Sequence, residues 1–170
     1  MPNDSSLKDD HIFQELKGDL LEYWPNLEDP ENFSGSKRFW RYEWIKHGTC
    51  SNFAAKEYLE KTIDHTKRYA QAIFNNMIDN GIHPDGTTEY NSSHVLNAIK
   101  NVTKKNAFLA CKDDVDGKFQ LYEIRLCFAN NDLEDCRTTG NCNKKFIFAS
   151  PPESNHDLFL VSESSSKSEL

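Results

Sequence analysis

The run Phe39-Trp40-Arg41-Tyr42-Glu43-Trp44-Ile45-Lys46-His47-Gly48-Thr49-Cys50 decides how the rest of this chain is read. It concentrates aromatic rings, a carboxylate, an ammonium, an imidazole and a thiol in one short segment. The pattern predicts a helix over 37–47, with Ser36 as its cap and Gly48 as its stop signal. On that helix Glu43, Lys46 and His47 fall at i, i+3 and i+4, so they share a face. Trp40 and Trp44, also i and i+4, occupy a neighbouring face and anchor the element in a core.

Such a face suits chemistry on a phosphodiester. Attack on phosphorus needs a base whose pKa lies near the working pH, which is the role imidazole fills most often. It also needs positive charge where the pentacovalent state gathers negative charge. Lys46 brings that charge, and Glu43 orients the imidazole or donates a proton. A plainer reading of the same spacing is a solvated Glu–Lys pair beside a structural histidine.

Outward from this helix the chain divides by pattern. Residues 1–6 read as a disordered start, and Ser6 caps a helix expected over 7–23 that Pro25 ends. Residues 26–36 read as a polar loop. After Ser51 two helices are expected, one starting near Ala54 and one from Thr62 to Ile78. Asn80-Gly81 closes them, and Pro84-Asp85-Gly86 is a turn. Ser92 or Ser93 caps a further helix through Lys104. The period then shifts to that of strands: 107–112, 118–128 and 146–148, with a hairpin turn at 113–117 and a polar loop at 136–142. In the long strand Phe119, Leu121, Glu123, Arg125 and Cys127 take one side. Helices followed by strands indicate an α+β domain, helices packed on an antiparallel sheet, over 7–150. Residues 151–170 are Ser-rich and charged and read as a flexible tail. His65, His83 and His94 are read as surface or capping residues.

The chain has 170 residues, enough for one domain with a core. Its formal net charge of -7 argues against non-specific binding of polyanions. No apolar run of membrane-spanning length occurs, so no membrane partner is expected. Five cysteines stand at 50, 111, 127, 136 and 142. They contain no C-x-x-C pair and fit no common zinc spacing, so disulfides are expected and no metal. Sequons at Asn3, Asn32, Asn91 and Asn101 agree with a secretory route. The first ten residues hold no apolar core of a signal peptide. The last four, Lys167-Ser168-Glu169-Leu170, are related to the endoplasmic-reticulum retrieval signal.

The segment F-W-x-x-E-W-x-K-H-G-T-C resembles the second active-site segment of the ribonuclease T2 family, the acid endoribonucleases that include plant stress and self-incompatibility enzymes. Leu20-Leu21-Glu22-Tyr23-Trp24-Pro25 resembles the helix end that precedes it, and Leu121-Tyr122-Glu123-Ile124-Arg125-Leu126-Cys127-Phe128 a late core strand. The resemblance implies cleavage of single-stranded RNA through a 2′,3′-cyclic phosphate without cofactor or metal. His47 matches the family's histidine, with Glu43 and Lys46 stabilising the pentacovalent state and Phe39 and Trp40 helping to hold a base. Tyr42 stands where the family usually has a phosphate-binding histidine. The resemblance also implies the pairs Cys127–Cys136 and Cys111–Cys142. A partner for Cys50 would lie upstream of position 1, so Cys50 is expected as a free thiol. The family's first segment, of the form His-Gly-Leu-Trp-Pro, has no match here: Leu21 and Glu22 stand where His and Gly belong. The fold is therefore expected to lack its N-terminal third, and activity to be impaired or absent. The alternative class is a non-catalytic storage or binding relative, and a fragment that does not fold alone stands behind both. Localisation in the secretory pathway, vacuole or outside the cell follows from the resemblance, and nothing in the sequence fixes an oligomeric state.

Overall fold

The computed structural model describes residues 10–129 and 132–150. The expected disordered start, the Ser6 cap and the tail from 151 lie outside these residues, as do Asn3 and the terminal signal. The described residues fall into two compact units that divide after Ala72.

The first unit is helical. Helices α1 (His11–Glu15), α2 (Lys17–Tyr23) and α3 (Phe33–His47) lead to the first part of α4 (Ala55–Asp79). The helix expected over 7–23 is interrupted at Leu16, whose φ of -94° and ψ of 7° leave the helical basin. Phe13, Leu20, Trp40, Trp44, Ala55, Leu59 and Ile63 form one buried cluster. Each large apolar side chain buried this way contributes about 1.5–3 kcal/mol. Phe13 stacks on Trp40 with centroids 5.8 Å apart, and Trp40 Nε1 donates to the Trp24 carbonyl at 2.8 Å. Ion pairs tie the elements at the rim. Asp10 accepts from both Lys37 and Arg41, Glu15 from Lys56, and Asp19 from Lys67.

Helix α3 starts earlier than its sequence indicates. Asn32 is the cap, with its Oδ1 accepting from Gly35 N at 2.9 Å. Ser36 lies inside the helix, fully buried, and its hydroxyl has no partner among the described residues. The expectation of Ser36 as cap is thereby corrected. The two helices expected after Ser51 are one element, α4, of 25 residues and roughly 37 Å. It runs from the first unit into the second.

The second unit takes in the last turns of α4, from Ile73 onward. Gly81 N bonds to Ile78 O and Ile82 N to Met77 O, a Schellman closure that needs the positive φ of 73° at Gly81. After β1 (Glu89–Tyr90) comes α5 (Ser92–Thr103), then β2 (Phe108–Asp113), β3 (Phe119–Arg125), β4 (Cys127–Ala129), β5 (Asp132–Glu134) and β6 (Phe146–Ile147). One sheet has the order β1-β6-β3-β2; β4 and β5 form a separate hairpin. The pairs are antiparallel except β3 with β6, which is parallel. The expected strand over 118–128 is therefore divided, with β3 ending at Arg125 and β4 turning into the second sheet. Its alternation is also broken by a bulge. Ala110 pairs Glu123 whereas Cys111 pairs Leu121, leaving Tyr122 as the extra residue. Disulfides join Cys111 to Cys142 and Cys127 to Cys136. The first ties β2 to the segment before β6, and the second closes the β4–β5 hairpin. No helix among the described residues is long and apolar enough to cross a membrane.

Candidate active site

The chemistry-bearing residues stand on the last two turns of α3. Trp40 and Trp44 hold the opposite face in the core, so the helix cannot rotate without unburying two indoles. Beyond His47 the chain enters a 3-10 turn over Gly48–Cys50. This turn is tightly bonded. Gly48 N donates to Trp44 O, Thr49 Oγ1 to Ile45 O at 2.8 Å, and Ser51 Oγ to Gly48 O at 2.6 Å.

Gly48 is not the left-handed stop its position implied. Its φ of -75° is ordinary helical backbone. The requirement is one of space: a Cβ there would lie 2.1 Å from Trp44 Cε3. Trp44 presses on the helix end and so fixes where His47 projects. Its own Nε1 is buried with no partner among the described residues. An unmet donor of this kind costs about 1–3 kcal/mol, a strain carried beside the site.

His47 Nε2 lies 3.8 Å from Glu43 Oε2, with the imidazole side chain 53 % exposed and the carboxylate 23 %. The distance is that of a charge pair and exceeds a hydrogen bond. Lys46 does not complete a cluster with them. Its ammonium sits over the Tyr42 ring, 5.2 Å from the centroid, the i+4 neighbour on an adjoining strip of the helix. The helix end thus carries two pairs: Glu43 with His47, and Tyr42 with Lys46. Tyr42 is 54 % exposed and its face serves the lysine.

The two residues expected to hold a base part company. Phe39 is half-buried and meets Trp24 edge-on at 5.9 Å. Trp40 is fully buried between Phe13 and Phe33 with its N–H bonded to Trp24 O. A base cannot reach its ring, and its assignment to substrate binding is corrected to a core role.

One neighbour was missed. Tyr58 on α4 is half-buried against Trp44, with centroids 5.5 Å apart. Burial raises its phenol pKa above the ordinary 10.0, and the Glu43 carboxylate raises it further. Tyr58 therefore remains protonated in reach of the Glu43 field. Its sequence signal was only an apolar-face position on the next helix.

Cys50, three residues past His47, is exposed and free. Among the described residues no cluster of His, Cys, Asp and Glu is arranged to hold a metal ion.

Comparison with known proteins places this helix in context. A model of the Ribonuclease T2 family matches residues 2–138. Intracellular ribonuclease LX of Solanum lycopersicum is 30 % identical over 162 residues, covering 92 % of this chain and 66 % of its own. Extracellular ribonuclease LE of the same plant is 32 % identical over 122 residues, covering 70 % and 51 %. The chain therefore spans about half to two thirds of the length of these relatives. Among solved structures, RNase NT in complex with 5′-AMP superposes with a TM-score of 0.71 at 27 % identity, covering 83 % of this chain and 70 % of that one.

Proposed function

Since the chain belongs to the ribonuclease T2 family, we propose that it acts on single-stranded RNA as an endoribonuclease, by transphosphorylation through a 2′,3′-cyclic phosphate. The observation that carries this reading is the exposed Glu43–His47 pair at the fixed end of α3. His47 takes the 2′-hydroxyl proton as the 2′-oxygen bonds to phosphorus. The Glu43 carboxylate then stands beside the imidazolium that forms. Lys46 faces the charge gathered on the non-bridging oxygens once it leaves the Tyr42 ring, and the Tyr42 hydroxyl donates one hydrogen bond to the phosphate.

The departing 5′-oxygen needs a proton from a second group. Helix α3 carries a single imidazole, so it fills one of two proton-transfer roles. Each role is worth about 10²–10⁴-fold, and reduced activity of this chain is part of the proposal. That same observation favours a second reading, a non-catalytic relative that binds RNA or serves as storage.

The remaining family traits stay proposals for this chain. They are a functional domain over 7–150, a secretory or vacuolar route, and glycans on the exposed Asn32, Asn91 or Asn101.

Incubation of purified protein with single-stranded RNA near pH 5, beside His47→Ala, tests the assignment. The expected result is slow cleavage to fragments ending in 2′,3′-cyclic phosphate, reduced about 10²-fold or more in the variant. Equal cleavage by both proteins would mark a contaminant. No cleavage by either, with the fold intact, selects the non-catalytic reading.

A further inference from the structure

The second unit holds a cleft of about 570 Å³ between the turn after α4, the β2–β3 turn and the start of β6. Its size is in the range of small-ligand sites. Three of the chain's lysines line it: Lys118, Lys144 and Lys145. They come from two segments far apart in sequence, in a chain whose net charge is -7. Lys118 makes no ion pair among the described residues. Lys144 reaches Asp113 at 3.6 Å and Lys145 reaches Glu89 at 3.9 Å, all four side chains about 60 % exposed. Pairs this long and this wet hold their charges weakly. A phosphate displaces them without leaving a buried charge behind. The floor is apolar, formed by Ile147 and the half-buried Phe119. The Lys144 ammonium rests 4.2 Å from the Phe119 ring centroid. When an anion draws that ammonium outward, an aromatic face is freed beside the bound charge.

We propose that this cleft is a second nucleic-acid contact, which takes the phosphates of a single strand on Lys118, Lys144 and Lys145 and an adjacent base on Phe119. Cations beside an aromatic floor are what a flexible strand requires, since backbone charge and base face are both met and no sequence is read. An overall acidic protein has no broad positive field to gather RNA, so a local cationic cleft is where such contact is strongest. The proposal rests on reading the chain as an RNA-handling protein.

Fluorescence anisotropy of a labelled 2′-O-methyl RNA 12-mer, which cannot be cleaved at a 2′-hydroxyl, measures the contact. The intact protein is compared with K118Q/K144Q/K145Q and with K100Q/K104Q/K105Q, which removes equal charge elsewhere. Each variant's thermal unfolding is followed to confirm its fold. Loss of three phosphate contacts lowers the slope of log affinity against log salt by about 2 for single strands. That drop is expected in the cleft variant only. Equal weakening of both variants, or no binding by the intact protein, overturns the proposal. Tripolyphosphate competing as well as the 12-mer at equal charge also overturns it, because the aromatic floor would then contribute nothing. Cleavage of a dinucleotide, assayed in parallel, reports the α3 site alone. Loss of that cleavage with 12-mer binding intact rejects the nuclease reading and leaves the cleft standing.

Discussion

At Gly48 one hydrogen atom decides whether the helix end can exist. A methyl group there meets the Trp44 ring at 2.1 Å, and that ring is buried among core residues. Gly48→Ala is expected to cost at least 1–3 kcal/mol, as forced overpacking does, measured by urea unfolding. The opposite sign is expected at Lys104. It caps α5 with a φ of 58°, a left-handed conformation that disfavours any side chain with a Cβ. Lys104→Gly is expected to stabilise the protein by about 1 kcal/mol, seen as a higher denaturant midpoint. Periodicity alone shows that Trp40 and Trp44 share a strip. It does not show that Trp40 is sealed, because the Phe13 stack and the Trp24 carbonyl that seal it come from other helices. The pairing of Glu43 with His47 was legible because it is local, four residues apart on one helix. The diversion of Lys46 to Tyr42 was not, since 46 is i+3 from 43 and i+4 from 42 and spacing permits both.

Among the elements, those defined by local signals agree with their sequence and those defined by tertiary packing do not. The Asn80-Gly81 stop and the β2–β3 hairpin follow from turn chemistry. The cap of α3 does not: Ser36 has a good capping side chain, yet burial of the first turn moves the helix start to Asn32. The break after Arg125 is equally non-local, set by the bulge at Tyr122 and by the cystine that folds β4 back onto β5. The two cystines close loops of different length, 31 residues for Cys111–Cys142 and 9 for Cys127–Cys136. Chain-entropy reasoning puts the losses on replacing each pair by alanine at about 3.5 and 2.5 kcal/mol. Comparing the denaturation midpoints of the two double variants checks the order, with the larger loop expected to cost more.

Acidity acts on the molecule as a whole. Hydrogen bonds from Lys37 and Arg41 hold the Asp10 carboxyl below its ordinary 3.8, and Lys56 holds Glu15 below its ordinary 4.5. Both favour the folded state above those ordinary values and lose that effect as pH falls through the lowered ones. Tyr58 has the reverse sign. Its raised pKa favours folding below 10.0, and the benefit disappears as pH climbs through the raised value. From these groups stability is expected to hold at pH 5, the condition of the cleavage test, and to decline below about pH 4. Unfolding followed from pH 2 to 6 checks this, and Asp10→Asn should flatten the acid limb. The Cys50 thiol gives the folded protein one further property. The other four cysteines are locked in cystines, so a maleimide dye attaches at one place, a single turn from the imidazole. A dye there, three residues from His47, reports on the surroundings of the α3 end, and a change in its emission on adding RNA is the readout for binding at that end.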